Sequence, residues 1–232
     1  MEINGIDAEI NGILFDMDGL LVNSENLYWK ANIQAAKEAN LGIPDDTYLK
    51  LVGSTNNDMQ DFYQKYFSGD EQRDCFIKRT DELVWQWTNE GKLKLRPGVQ
   101  QALDLFQKKQ IPMAVVTSNT EDVVEHNLWM TGIRNYFQFH LNYDDVKKNH
   151  VKPKPAPDIY LLAAKKLGIP QNNILAFEDS SAGLQSAVAA GIKCVMVPDL
   201  IPAGESDKKI AVEVCSDFFA FLKKFNAFLR IK

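Results

Sequence analysis

Three short apolar runs end abruptly in polar or acidic clusters, and this constrains the fold more than any other feature. Ile13-Leu14-Phe15 enters Asp16-Met17-Asp18-Gly19, Met113-Ala114-Val115-Val116 enters Thr117-Ser118-Asn119, and Ile174-Leu175-Ala176-Phe177 enters Glu178-Asp179. A short apolar run closed by acid, glycine or turn residues reads as a buried strand delivering side chains to a loop. Similar runs at Phe137–Leu141 and Cys194–Val197 bring the expected strands to five. Helical stretches separate them. Val99, Ala102, Leu103 and Phe106 form an amphipathic stripe, as do Phe218, Phe221, Leu222, Phe225 and Leu229, and helices are expected over Glu121–Met130, Asp158–Leu167 and Ala182–Ala190. Strands alternating with helices imply an α/β class fold, a doubly wound (Rossmann-like) parallel sheet covered on both faces.

Between the first strand and the helix after Arg96-Pro97-Gly98 the texture differs. Tryptophan, tyrosine and long polar residues dominate, nothing alternates like a sheet, and turns fall at Gly42-Ile43-Pro44 and Ser68-Gly69-Asp70. An inserted all-helical domain is expected over 25–92, within an α/β core formed by 1–24 and 93–232, with joints near Val22–Glu25 and Gly91–Pro97. Trp29, Trp85 and Trp87 are expected in the core of the insert, and His126, His140 and His150 lack metal-ligand spacing.

The composition narrows the class. A net charge of -5 and a pI near 5.3 argue against a nucleic-acid binder. No apolar run approaches the ~20 residues of a membrane-spanning helix. The first fifteen residues lack the basic start and cleavage site of a secretory signal, so a cytoplasmic location is expected. Three widely spaced cysteines (Cys75, Cys194 and Cys215) suit free thiols in a reducing compartment.

In open parallel sheets, ligands bind at the carboxyl ends of the strands. Asp16, Asp18, Thr117, Ser118, Asn119, Glu178 and Asp179 all lie there, and Lys154 stands in the loop Lys152-Pro153-Lys154-Pro155-Ala156-Pro157. Carboxylates brought this close raise one another's pKa unless a cation neutralises them. Oxygen ligands select a hard cation, and Mg²⁺ suits one or two carboxylates with phosphate and water. A lysine and a hydroxyl beside such a site suit phosphoryl oxygens. Two residues apart at a strand exit, Asp16 and Asp18 can face one substrate. Asp16 is assigned as nucleophile and Asp18 as general acid/base. Taken singly the motifs have blander readings: a turn for Asp-x-Asp-Gly, a helix cap for Thr117, a solvated amine for Lys154, and helix-dipole complementarity for Glu178-Asp179.

Together, FDMDGLLVNSE, AVVTSN, KPAPD and ILAFEDSSAG resemble the four ordered motifs of the haloacid dehalogenase superfamily, and the helical insert after the first resembles its β-phosphoglucomutase-like branch. The resemblance implies Asp16 as phosphoryl acceptor and Asp18 as acid/base with its backbone carbonyl on Mg²⁺. It implies phosphate binding by Thr117, Ser118, Asn119 and Lys154, with Lys154 also paired to Asp16. Asp16 and Asp179 would ligate the metal, with Glu178 binding directly or through water, and the insert would be a cap. The chain departs from the family's usual pattern at Leu20, Asn23 and Pro153, none of which carries the chemistry. Asn56 and Tyr28 stand where β-phosphoglucomutases carry an arginine for the second phosphate and a cap histidine. Those two losses favour a hydrolase over a mutase, and Asp18 argues against the dehalogenase branch.

The expected activity is Mg²⁺-dependent hydrolysis of a small phosphorylated metabolite, a sugar phosphate or nucleotide, through an aspartyl-phosphate. A phosphomutase is the alternative, and a phosphoreceiver module a more distant one that would need neither insert nor Asp18. Glu25, Tyr28, Gly53 and Asn56 are the candidate specificity residues, and without Arg or Lys among them a neutral polyol or sugar portion is expected. Nothing in such a site needs a partner chain, so a monomer is expected.

Overall fold

The computed structural model describes residues 2, 3, 6–54 and 56–225, with side chains from residue 9 onward outside 55–57. Six parallel strands form the main sheet: β3 (Gly12–Phe15), β4 (Met113–Val116), β5 (Phe139–Leu141), β6 (Ile174–Glu178), β7 (Lys193–Met196) and β8 (Glu213–Val214). Their order is β5-β4-β3-β6-β7-β8, so the chain winds one way from β3 and then returns past it to wind the other way. The reversal falls beside β3, where an open α/β sheet forms a crevice at its carboxyl edge.

The central strands are buried on both faces, which explains why they read as unbroken apolar runs. Alternate residues feed two cores. Ile13, Phe15, Met113, Val115, Leu175 and Phe177 pack on one face against α4 (Val99–Lys108), α5 (Glu121–Met130) and α10 (Phe218–Phe225). Phe15 stacks on Phe177 with ring centroids 5.2 Å apart, and Phe218 and Phe221 pack on Phe177 in turn. Leu14, Ala114, Val116 and Ala176 pack on the other face against α6 (Tyr143–Lys148), α7 (Asp158–Leu167) and α8 (Ser181–Ala189).

The described elements between β3 and α4 are all helical: α1 (Ser24–Glu38), a 3₁₀ turn at Asp45–Leu51, α2 (Asn56–Tyr66) and α3 (Asp70–Asn89). It has its own core, formed by Ala31, Ala35, Ala36, Tyr48, Phe62, Phe76, Leu83 and Val84. The two chain crossings that join it to the sheet run antiparallel and are hydrogen-bonded. Asn23 N–H donates to Lys94 O at 3.0 Å and Arg96 N–H to Leu21 O at 3.0 Å.

Several elements depart from expectation. The lead-in forms an antiparallel hairpin, β1 (Glu2–Ile3) and β2 (Ile6–Glu9), where no strand was expected. β8 is a sixth strand, two half-buried residues at the sheet edge, too short to leave an apolar run. The third strand begins at Phe139 rather than Phe137, because a 3₁₀ turn over Arg134–Tyr136 still governs the chain before it. Helices α6 and α9 (Glu205–Ile210) lie in stretches where no helix was expected; α6 is capped by Asn142, whose side chain accepts from the Asp144 and Asp145 amides. Trp29 and Trp87 pack on the insert's core, but Trp85 does not. It stacks on His126 of α5 at 3.9 Å between ring centroids, and His126 Nε2 lies 2.9 Å from Asn89 Oδ1. Leu229 lies outside the described residues, while Phe218, Phe221 and Phe225 are buried as the stripe predicts. All three cysteines are free, and among the described residues no helix is long and apolar enough to cross a membrane.

Candidate active site

β3, β4 and β6 end side by side, and the residues that leave them meet. Asp16 follows β3 directly and is held in register by its amide, which donates to Phe177 O at 3.0 Å. Lys154 enters from the loop before α7. Its Nζ donates to Asp16 Oδ1 at 2.7 Å, Glu178 Oε1 at 2.7 Å and Val116 O at 2.9 Å. Burial disfavours the ammonium, but Asp16 and Glu178 outweigh that and hold Lys154 protonated.

Asp18 forms a second knot. Its Oδ1 accepts from Ser24 Oγ at 2.7 Å; its Oδ2 accepts from Asn119 Nδ2 at 2.6 Å and Thr117 Oγ1 at 3.2 Å. The Asn119 amide donates to Thr117 Oγ1 at 3.2 Å. The expected phosphate donors Thr117 and Asn119 therefore close on Asp18 and on each other, while Ser118 is exposed at the strand exit. Burial, and then the charge of Asp16, raise the Asp18 pKa to about 6.

Asp16, Glu178 and Asp179 each place one carboxylate oxygen within 4.8 Å of the others. The Asp18 carboxylate stands outside that set. Burial is the first cause of the raised pKa at Glu178, to about 7, and at Asp179, well above the ordinary range; Asp16 raises both further. Among the described residues Glu178 Oε2 is buried without a hydrogen-bond partner. An unpaired buried carboxylate oxygen among three acids matches the donor set of a hard divalent cation.

Two glycines are required by these acids. Gly19 has φ +68, and a Cβ there would lie 2.1 Å from Asp179 Oδ2. At Gly183, in the first turn of α8, a Cβ would lie 1.9 Å from Glu178 Oε2.

The insert reaches over the same edge of the sheet. Glu25, in the first turn of α1, accepts from the Gly53 backbone, and a Cβ on Gly53 would meet Ser180 Cβ at 3.4 Å. Burial first, then Asp18, Asp16 and Asp199, raise Glu25 to about 8. Tyr28 is half-buried, its hydroxyl pushed upward by burial and then by Asp81, Asp18, Glu25 and Asp122. The Asn56 side chain lies outside the described residues.

Sequence reasoning missed three contributors. Ser24 and Tyr160 each hold an active-site carboxylate, and only the residue type, a hydroxyl near a motif, could have flagged them. Arg96, in the second crossing, donates to the carbonyls of Gly19, Val197 (3.0 Å) and Pro198 (2.9 Å) and lies 3.5 Å from Asp199. It ties the Asp16–Gly19 loop to the exit of β7. A cavity of about 960 Å³ runs along α3 beside Trp85, and none of the clustered carboxylates line it.

An acid cluster, a buried lysine and a hydroxyl at the switch point of a parallel sheet define a phosphoryl-handling α/β hydrolase. Residues 13–197 match the haloacid dehalogenase-like hydrolase family. A phosphorylated carbohydrates phosphatase of Thermotoga maritima is 29% identical over 172 residues, covering 74% of this chain and 77% of that protein. Two solved structures share the whole fold at 26% identity. A proposed beta-phosphoglucomutase from Thermotoga maritima has a TM-score of 0.75 over 96% of this chain and 100% of its own. CbbY from Rhodobacter sphaeroides, in complex with phosphate, has a TM-score of 0.76 over 94% and 99%. The chain belongs to the haloacid dehalogenase-like hydrolases, in the β-phosphoglucomutase-like branch of phosphatases.

Proposed function

We propose that the protein is an Mg²⁺-dependent phosphomonoesterase for a small phosphorylated metabolite, acting through a phosphoryl group carried on Asp16. The observation that carries this reading is the joining of Asp16 to Lys154 and Glu178, beside Asp18, at the ends of β3, β4 and β6. Asp16 Oδ attacks phosphorus, the bond to the ester oxygen breaks, and Asp18 gives its proton to the departing alkoxide. Asp18 then takes a proton from water as that water attacks the aspartyl-phosphate, releasing phosphate and restoring the Asp16 carboxylate. A pKa near 6 suits a group that must give and take a proton close to neutrality. Lys154 faces the phosphoryl oxygens, and Thr117 and the Asn119 amide exchange their internal hydrogen bonds for the same oxygens. Asp16, Asp179, Glu178 and the Asp18 carbonyl would hold Mg²⁺, which supplies neutralisation of the gathered negative charge.

In this reading residues 25–92 are a cap over a core of 1–24 and 93–232, with Gly53 near Ser180 and hydrogen-bonded to Glu25, and closure of the cap would exclude water from the site. Glu25 and Tyr28 lie among Asp18, Asp81, Asp122 and Asp199, so the cap side is acidic. That environment disfavours a second phosphate and suits a polyol or sugar portion. The free cysteines and acidic pI fit a cytoplasmic enzyme that binds neither nucleic acid nor membrane, and the reading takes it as a monomer.

The test is phosphate release from a panel of sugar phosphates, nucleotides and bisphosphates, with Mg²⁺ or chelator, using wild type and Asp16→Asn. Selective Mg²⁺-dependent turnover lost in the variant is expected. Single-turnover labelling would indicate a phosphoreceiver. Conversion of a hexose 1-phosphate to the 6-phosphate would indicate a mutase, and a preference for bisphosphates would overturn the specificity reading.

A further inference from the structure

Tyr160, on α7, is fully buried in the sheet-face core with Leu14, Ala114, Val116 and Ala176. Phenylalanine would fill that space without a hydroxyl to satisfy. The phenol instead donates to Glu178 Oε1, the oxygen that also accepts Lys154 Nζ, and the lysine Nζ lies 5.3 Å from the tyrosine ring centroid. A buried hydroxyl is tolerated only where it is hydrogen-bonded, and Glu178 is its partner here.

Lys154 cannot fix Glu178 by itself. It is shared with Asp16, so any charge arriving on Asp16 changes what Lys154 does. Among the described residues, Tyr160 is the hydrogen-bond partner of the Glu178 side chain that makes no bond to Asp16. Gly183 closes the far side, where a Cβ would overlap the carboxylate. The phenol, the lysine and the bare helix turn leave the carboxylate one orientation, with an oxygen beside those of Asp16 and Asp179.

We propose that Tyr160 is a positioning residue: its hydroxyl locks Glu178 in the orientation that binds the divalent cation, independently of Lys154. This rests on the metal reading above. Outer partners of metal ligands are worth about 10- to 100-fold in metal affinity.

The test is calorimetric titration of Mg²⁺ alone into wild type, Tyr160→Phe and Tyr48→Phe, with thermal unfolding of each in chelator. Tyr48 supplies the control, a buried hydroxyl in the insert without a hydrogen-bond partner among the described residues. Tyr160→Phe is expected to weaken Mg²⁺ binding about 10-fold and to raise the Mg²⁺ concentration for half-maximal phosphate release by the same factor. The substrate KM at saturating Mg²⁺ should hold, and Tyr48→Phe should bind Mg²⁺ as wild type does. Unchanged Mg²⁺ affinity in a folded Tyr160→Phe would overturn the proposal and leave the metal reading standing. A Tyr160→Phe that fails to fold would also overturn it, by assigning the hydroxyl to stability. Absence of Mg²⁺ binding by wild type would remove the metal reading itself, and this proposal with it.

Discussion

Replacing Asp18 by Asn should make the metal-free protein more stable above pH 6 while removing turnover. Burial, and then Asp16, lift the Asp18 pKa from 3.8 to about 6. At about 1.4 kcal/mol for each tenfold change in proton affinity, the ionised side chain costs the native state about 3 kcal/mol. Asn at 18 keeps an oxygen for Ser24 but turns an amide towards Asn119 Nδ2 and Thr117 Oγ1, which now donate to Asp18. Losing those two bonds costs about 0.5–1.5 kcal/mol each, leaving a net gain of up to about 2 kcal/mol. For a chain of this length that is a rise in Tm of up to about 6 °C.

The pH dependence gives the sharper test. Between about pH 4 and 6 the native state holds the Asp18 proton that the unfolded chain has released, so wild type loses stability as pH rises through that window. The variant lacks that slope. The gap should open from pH 4 to 6 and widen further towards pH 8, because the Asp18 charge also raises Glu25; below pH 4 the variant, short of two hydrogen bonds, should be the less stable. Thermal unfolding in chelator from pH 4 to 8 measures it. A gap that does not change with pH, or a variant less stable than wild type at pH 7.5, would refute the reasoning. Phosphate release should fall by about 10²–10⁴-fold, the usual contribution of a general acid/base.

Lys154→Met should destabilise the protein by about 3–5 kcal/mol at pH 8 in urea unfolding, since it strands Asp16 and Glu178 without their buried cation. The loss should shrink at pH 5, because Glu178, raised to about 7 even beside the lysine, is then protonated and does not need the cation. Equal losses at both pH values would show that Glu178 carries no charge in the native state. Gly183→Ala should lower Tm despite the roughly 1 kcal/mol helix preference for alanine, because its Cβ would fall 2.1 Å from Glu178 Cδ. Calorimetry should show weaker Mg²⁺ binding in that variant; wild-type affinity would mean the carboxylate can move aside.

The sequence by itself determined the fold class, the chain order of the central strands and the acids they deliver. Those features are local. A strand buried on both faces must be an apolar run, and a residue next to its end must leave at the carboxyl edge. Hence Asp16, Thr117, Glu178 and Asp179 could be placed from neighbouring residues alone. The helical insert was legible for the same reason, as a stretch with no strand periodicity between two turns.

Tertiary structure decided how those residues are held. Ser24 on Asp18, Tyr160 on Glu178 and Arg96 on the Gly19 carbonyl are joined across 6, 18 and 77 residues, and in each case a common residue type acquires its role from the packing of its helix or crossing. β8 became a strand because β7 offered it an edge, and the Trp85 side chain stacks on His126 of α5 instead of joining the insert's core. Side-chain direction carried the difference at Asp18, whose carboxylate turned to three hydrogen-bond donors and away from the other acids. Hydrogen-bond geometry between distant segments has no periodicity in sequence, so it had to be read from the folded chain.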